Sequence, residues 1–174
     1  MTKRWLVAAF ILILVVGGAY AAIMWEGSSA RAPSPKLENA VAQWLLTRTV
    51  PMSQRGRSNP LTAKNAPADI AAGRDVYRQK CESCHGYTGD GRTEIASGEY
   101  PHPPDLKNQV VQGQSDGELF YHIANGIRHT GMPAWNFPER RTWQLVSYIR
   151  HLPMVAASGK VPATADLSAA HYVG

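Results

Sequence analysis

The chain has 174 residues, 44% apolar and 18% charged, with a formal net charge of +5 and two cysteines. That length holds one small domain with appendages, and two thiols are too few for a disulfide framework beside any other thiol chemistry. Residues 69–152 carry nine Lys/Arg against ten Asp/Glu, a net of −1, while the remainder carries nine against three, a net of +6; no folded basic face with interleaved aromatics supports a nucleic-acid partner.

The first predicted element is apolar. Trp5 to Trp25 contains no charged residue. At about 1.5 Å per residue these residues reach roughly 30 Å as a helix, the thickness of a bilayer's hydrocarbon core. Residues 1–25 are therefore expected to be a transmembrane anchor, with lipid contact through 5–25. Lys3 and Arg4 place the N-terminus on the cytoplasmic side. Trp5, Tyr20 and Trp25 suit the membrane interfaces. A cleaved secretory signal is the rival, since Ala19-Tyr20-Ala21 resembles a cleavage site, but the apolar stretch is long for one. Either way the following chain is exported.

Residues 26–68 read as a linker punctuated by Pro33, Pro35, Pro51, Pro60 and Pro67. Leu37, Ala40, Val41, Trp44 and Leu45 recur at helical spacing, which predicts an amphipathic helix over 36–48. Its apolar face would rest on the chain's own domain, on a membrane surface or on a partner subunit. A wholly flexible linker of this length would span roughly 35–40 Å.

The next region predicts an all-α domain over 69–153. Ala71 to Lys80 is a helix leading into Cys81-Glu82-Ser83-Cys84-His85, a Cys-x-x-Cys-His run of the kind that attaches a c-type haem. Both cysteines of the chain lie in it. Two thiols become thioethers to the porphyrin, and the adjoining imidazole can ligate iron. A structural zinc site needs further ligands at matching spacing, which the sequence lacks. A thioredoxin-like dithiol needs a βαβ context, and the flanks read as helix and Gly-rich loop. No second such run occurs, so one haem c is expected. For the sixth iron position the choices are Met132, Met154, His102, His122, His129, His151 and His171. Met132 is favoured because Gly131 and Pro133 flank it in a tight loop, against the bland alternative that it fills a core gap. His129 is its main competitor.

Ser115-Asp116-Gly117-Glu118 is a capping box opening a helix that stops near Asn125-Gly126. Asn136-Phe137-Pro138-Glu139 is expected to open the last helix in the same way, and Pro153 to end it. No segment of the domain alternates like a strand. Residues 154–174, rich in Ala, Ser, Pro and Val, are expected to form an extended tail.

Taken together, residues 69–153 resemble the small monohaem cytochrome c family with Met/His ligation. The resemblance is carried by Ala72-Gly73-Arg74-Asp75-Val76-Tyr77, Cys81-Glu82-Ser83-Cys84-His85-Gly86, Gly89-Asp90-Gly91-Arg92, Pro103-Pro104-Asp105-Leu106, Gly131-Met132-Pro133 and Trp143 to Ile149. It implies that the helix bearing Gly73 and Tyr77 faces the last helix. It further implies that a backbone carbonyl near Pro104 accepts the ring N–H of the ligand histidine. Cys81, Cys84, His85, Met132, Pro104 and Trp135 are the expected cofactor-binding residues, with His85 and Met132 on the iron. The implied function is electron transfer, not enzymatic turnover by the chain itself. The chain would be a carrier or subunit working with membrane oxidoreductase subunits or periplasmic redox proteins. It would sit in a bacterial inner membrane as a single-pass protein with a periplasmic haem domain. Two rivals are a haem enzyme or gas sensor with an open iron site, and a structural anchor whose haem is incidental.

Overall fold

A computed structural model of the chain describes residues 3–26, 29–30, 35–61 and 66–157, and the chain divides into two compact units, 1–32 and 33–174. The described residues are helical, with no strand among them. In the first unit helix α1 (Lys3–Glu26) carries a stretch, Lys3–Ala22, long and apolar enough to cross a membrane. Its apolar side chains are exposed along its length.

The second unit opens with α2 (Lys36–Arg48), at the bounds its apolar spacing predicts. The short α3 (Met52–Arg55) follows. The core then forms between α4 (Ala66–Lys80) and α8 (Glu139–Ala157), with α7 (Asp116–Asn125) across them. The α4–α8 crossing is close because Gly73 has no side chain. A Cβ there would stand 2.0 Å from the Gln144 carbonyl oxygen and 3.1 Å from Tyr148 Cβ. One turn on, Tyr77 and Tyr148 meet with ring centroids 5.1 Å apart. Tyr77, Leu145, Val146 and Leu152 are fully buried there. The facing of Gly73 and Tyr77 against the last helix is thus observed.

The Ser115 capping box forms with both arms: Glu118 N donates to Ser115 Oγ at 3.1 Å and Ser115 N to Glu118 Oε2 at 2.7 Å. Four other local expectations are corrected. First, α4 begins at Ala66, earlier than Ala71, because Pro67 is tolerated in a first turn whose N–H groups have no helical partner. Second, Asn136 does not cap α8. The Pro138 carbonyl accepts from Arg141 N and Thr142 N instead, and the Glu139 carboxylate is taken by Arg57 and by Trp143 Nε1. Third, α8 runs through Pro153 to Ala157. A proline lacks the N–H that would bond the carbonyl four residues back. That carbonyl, of Ile149, accepts from Gln112 Nε2 at 3.1 Å, so the helix loses no buried partner. Residues 154–157 are therefore helix, and the rest of the expected tail lies outside the described residues.

The fourth correction concerns the linker. Residues 50–61 are docked on the domain as a strap. Val50 and Asn59 are buried. Asn59 Nδ2 donates to the Trp143 carbonyl at 3.1 Å and to Ser147 Oγ at 2.9 Å, while its Oδ1 accepts from Leu61 N at 3.0 Å. The Arg57 guanidinium lies over the Phe120 and Trp143 rings, 4.4 and 5.1 Å from their centroids, and pairs with Glu139. Residues 50–61 are therefore packed on the helical domain.

Candidate cofactor site

The haem-type run sits where α4 ends. Cys81 is the N-cap of α5 (Glu82–His85), a single helical turn. Cys84 N and His85 N both donate to the Cys81 carbonyl, at 3.2 and 2.8 Å. Positions i, i+3 and i+4 of one turn share a face. Cys81, Cys84 and His85 therefore branch from the same side of the turn. The turn is anchored from beneath by Tyr77 Oη, which donates to the Gly86 carbonyl at 2.7 Å.

The Met132 loop is closed onto the end of α7. Ile127 N donates to the Met132 carbonyl at 3.2 Å, Trp135 N to the Ile123 carbonyl at 3.2 Å, and Met132 N to Thr130 Oγ1 at 3.1 Å. Gly126 makes this possible. Its φ is +68°, and a Cβ there would stand 2.7 Å from Ala134 N and 2.8 Å from the Met132 carbonyl oxygen. Cys81, Met132 and Trp135 all pack, half-buried, against the same core cluster. Trp135 stacks on Phe137 with centroids 5.2 Å apart.

Glu99 joins the two halves of the site. Its Oε1 lies 3.4 Å from Cys84 Sγ, and a Cβ on Gly131 would meet the same oxygen at 2.7 Å. Gly131 is small here because a carboxylate packs on it. Sequence reasoning missed Glu99, and no local signal would have revealed it, since its role depends on how the 86–108 loop folds back. The Pro103-Pro104 segment approaches the histidine side through Gly91, which donates to the His85 carbonyl at 2.9 Å and lies under the Pro103 carbonyl. Pro104 itself is exposed. The implied carbonyl–imidazole hydrogen bond is not made: His85 Nδ1 is buried with no hydrogen-bond partner.

Burial governs the titration of the site. It pushes the Cys81 thiol up to about 12, with the Cys84 charge adding to the effect. The Cys84 thiol is also raised, by burial and then by its Glu99 hydrogen bond. A redox dithiol needs one depressed, thiolate-forming sulfur, and neither thiol here fits that role. Burial lowers the His85 imidazole, which favours the neutral form that can ligate a metal. Among the described residues no three His, Cys, Asp or Glu side chains converge as a metal-ion cage.

These groups fit a covalently held haem. Two unbridged thiols and an imidazole with an unpartnered buried nitrogen share one face of a turn. A thioether waits at the rim of the same core. The other candidate axial residues lie as follows. His129 is exposed at φ +63°, Met154 is exposed on α8, and His102 is exposed with Nδ1 at 2.8 Å from the Ala96 carbonyl. His151 is half-buried on α8, and His122 is buried on α7 with Nε2 unpartnered. His171 lies outside the described residues.

Residues 68–149, just under half of the chain, match the family model described as cytochrome c oxidase, cbb3-type, subunit III. Over 43 residues the chain is 44% identical to a cytochrome bc1 complex cytochrome c subunit of Corynebacterium diphtheriae, a match covering 25% of this chain and 15% of that relative's length. A reducing HAO-like protein complex of Kuenenia stuttgartiensis contains a chain with 23% identity and a TM-score of 0.48, over 55% of this chain and 49% of that one.

Proposed function

We propose that this chain, which carries a c-type cytochrome domain, is a membrane-tethered electron-transfer protein holding one haem c. The observation that carries the reading is the shared face of Cys81, Cys84 and His85, with Met132 and Trp135 packed at the rim of the same core. The two cysteines would hold the porphyrin as thioethers, with His85 and Met132 as axial ligands to the iron. Once bound, the group would supply a one-electron Fe(II)/Fe(III) couple, with the thioether ligand favouring the reduced state. The surrounding residues orient and shield it. Tyr77 and the α4–α8 crossing hold the attachment turn, and Trp135, stacked on Phe137, ties the end of the methionine loop to α7 through its N–H to the Ile123 carbonyl. Helix α1 would anchor the chain in a bacterial inner membrane, with its N-terminus cytoplasmic and the domain on the exported side. The partners would be subunits of a respiratory oxidoreductase complex or exported redox proteins. A tether raises effective concentration, which suits small, short-lived redox contacts.

The test is spectroscopic. The oxidised holoprotein should show the far-red band of thioether-to-iron ligation, and Met132→His should abolish it and lower the midpoint potential. A potential unchanged in Met132→His would reject Met132 as ligand. Rapid carbon monoxide binding by the reduced wild type would point to an open iron site instead. Cys84→Ser should leave the haem singly attached or lost, read as a weakened haem stain on a denaturing gel.

A further inference from the structure

Helix α2 leaves an apolar row in solvent. Leu37, Val41, Trp44 and Leu45 are 77, 47, 59 and 44% exposed. They stand at i, i+4, i+7 and i+8, one side of a helix. The helix is nevertheless held by the domain. The Glu38 carboxylate accepts from Tyr100 Oη at its first turn, and Val50, two residues past its end, is buried. A helix secured at both ends with its apolar row outward has that row turned toward something other than its own core.

We propose that this row lies in the headgroup layer of the membrane that α1 enters, so that α2 is an interfacial helix fixing the height and tilt of the domain. The inference rests on the reading of α1 as a membrane span. Chain length keeps the row within reach of lipid. Nine residues, 27–35, separate α1 from α2. Fully extended they reach about 30 Å, so the start of α2 cannot leave the neighbourhood of the bilayer. Charge argues the same way. Residues 27–49 carry Arg31, Lys36 and Arg48 against Glu38 alone, a net of +2, which attracts anionic headgroups. The chemistry of the row adds a third reason. The Arg48 guanidinium lies 5.8 Å from the Trp44 ring centroid, and an aromatic ring beside a cation on a long stem suits the membrane–water boundary. With α2 in the interface and the strap docked, nine residues, 27–35, join the domain to α1. The domain would then serve partners fixed beside it in the membrane, in place of ranging between distant ones.

Attachment of haem consumes Cys81 and Cys84, so an added cysteine in the full-length holoprotein is a unique thiol for a nitroxide label. Val15→Cys, Val41→Cys and Gln43→Cys would be reconstituted in vesicles of phosphatidylglycerol with phosphatidylcholine. Accessibility to oxygen, which enters lipid, would be compared with accessibility to a water-soluble nickel reagent. The expected result is oxygen contact and nickel protection at 15 and 41, with nickel contact at 43, and a loss of protection at 41 in vesicles of phosphatidylcholine alone. Nickel contact at 41 equal to that at 43 in the anionic vesicles, with 15 in lipid, overturns the proposal and leaves the anchor standing. Protection at 41 from both reagents also overturns it, because a protein surface then covers the row. Nickel contact at 15 refutes the anchor and the proposal together.

Discussion

Glu99 illustrates how a single side chain acquires a role that its neighbours in sequence do not announce. Its carboxylate touches Cys84 Sγ and packs on Gly131, so it stands between the attachment turn and the methionine loop. A negative charge beside the cofactor stabilises the more positive, oxidised iron. Glu99→Gln should therefore raise the midpoint potential in a redox titration at neutral pH. An unchanged value would mean that the carboxylate turns to solvent once Cys84 carries its thioether. His85 shows the opposite case. Its place beside Cys84 is set by one helical turn and was readable from spacing. The lack of a partner on its buried Nδ1 was not, because that depends on how far the Pro103-Pro104 segment approaches.

Among the elements, α7 and α8 divide the local rules from the tertiary ones. Ser115 and Glu118 are three residues apart, and their reciprocal bonds form as the pattern predicts. Asn136 and Glu139 have the same spacing, yet Glu139 is drawn to Arg57, 82 positions away, and the cap is lost. Pro153 fails to end α8 because Gln112, 37 positions from Ile149, supplies the donor that the proline lacks. Gln112 Nε2 also donates to the Leu106 carbonyl at 2.7 Å, tying α6 (Gln109–Gln112) and the loop before it to the last helix. Gln112→Ala should cost about 2 kcal/mol, since it removes two bonds and leaves half-buried carbonyls unsatisfied. The denaturant midpoint of the holoprotein should fall by that free energy divided by the slope, with the slope unchanged.

For the whole molecule the decisive feature is the strap. Read as composition, residues 26–68 are a proline-punctuated tether. Read as structure, residues 50–61 belong to the domain through Asn59, Arg57 and Val50. Asn59→Ala should destabilise the domain by about 1–2 kcal/mol, because the strap loses the two hydrogen bonds that Asn59 Nδ2 gives to the Trp143 carbonyl and Ser147 Oγ, while that carbonyl keeps the Ser147 hydroxyl as a donor. Limited proteolysis should then cut within 50–61 faster than in the wild type, with the haem still attached. Equal cutting rates would show that the strap is held without Asn59.

The chain's own order of residues determined what acts over one or two turns or along one continuous helix: the apolar α1, the bounds of α2, the Ser115 cap, and the common face of Cys81, Cys84 and His85. Backbone periodicity alone sets such placements, and it repeats every few residues. Tertiary structure decided what joins distant segments: Glu99 against Cys84 and Gly131, the Met132 loop folded onto Gly126, Gln112 rescuing the proline of α8, and the docked strap. Those choices turn on which donor reaches which buried acceptor, and a polar side chain carries no mark in the sequence of the partner it will meet.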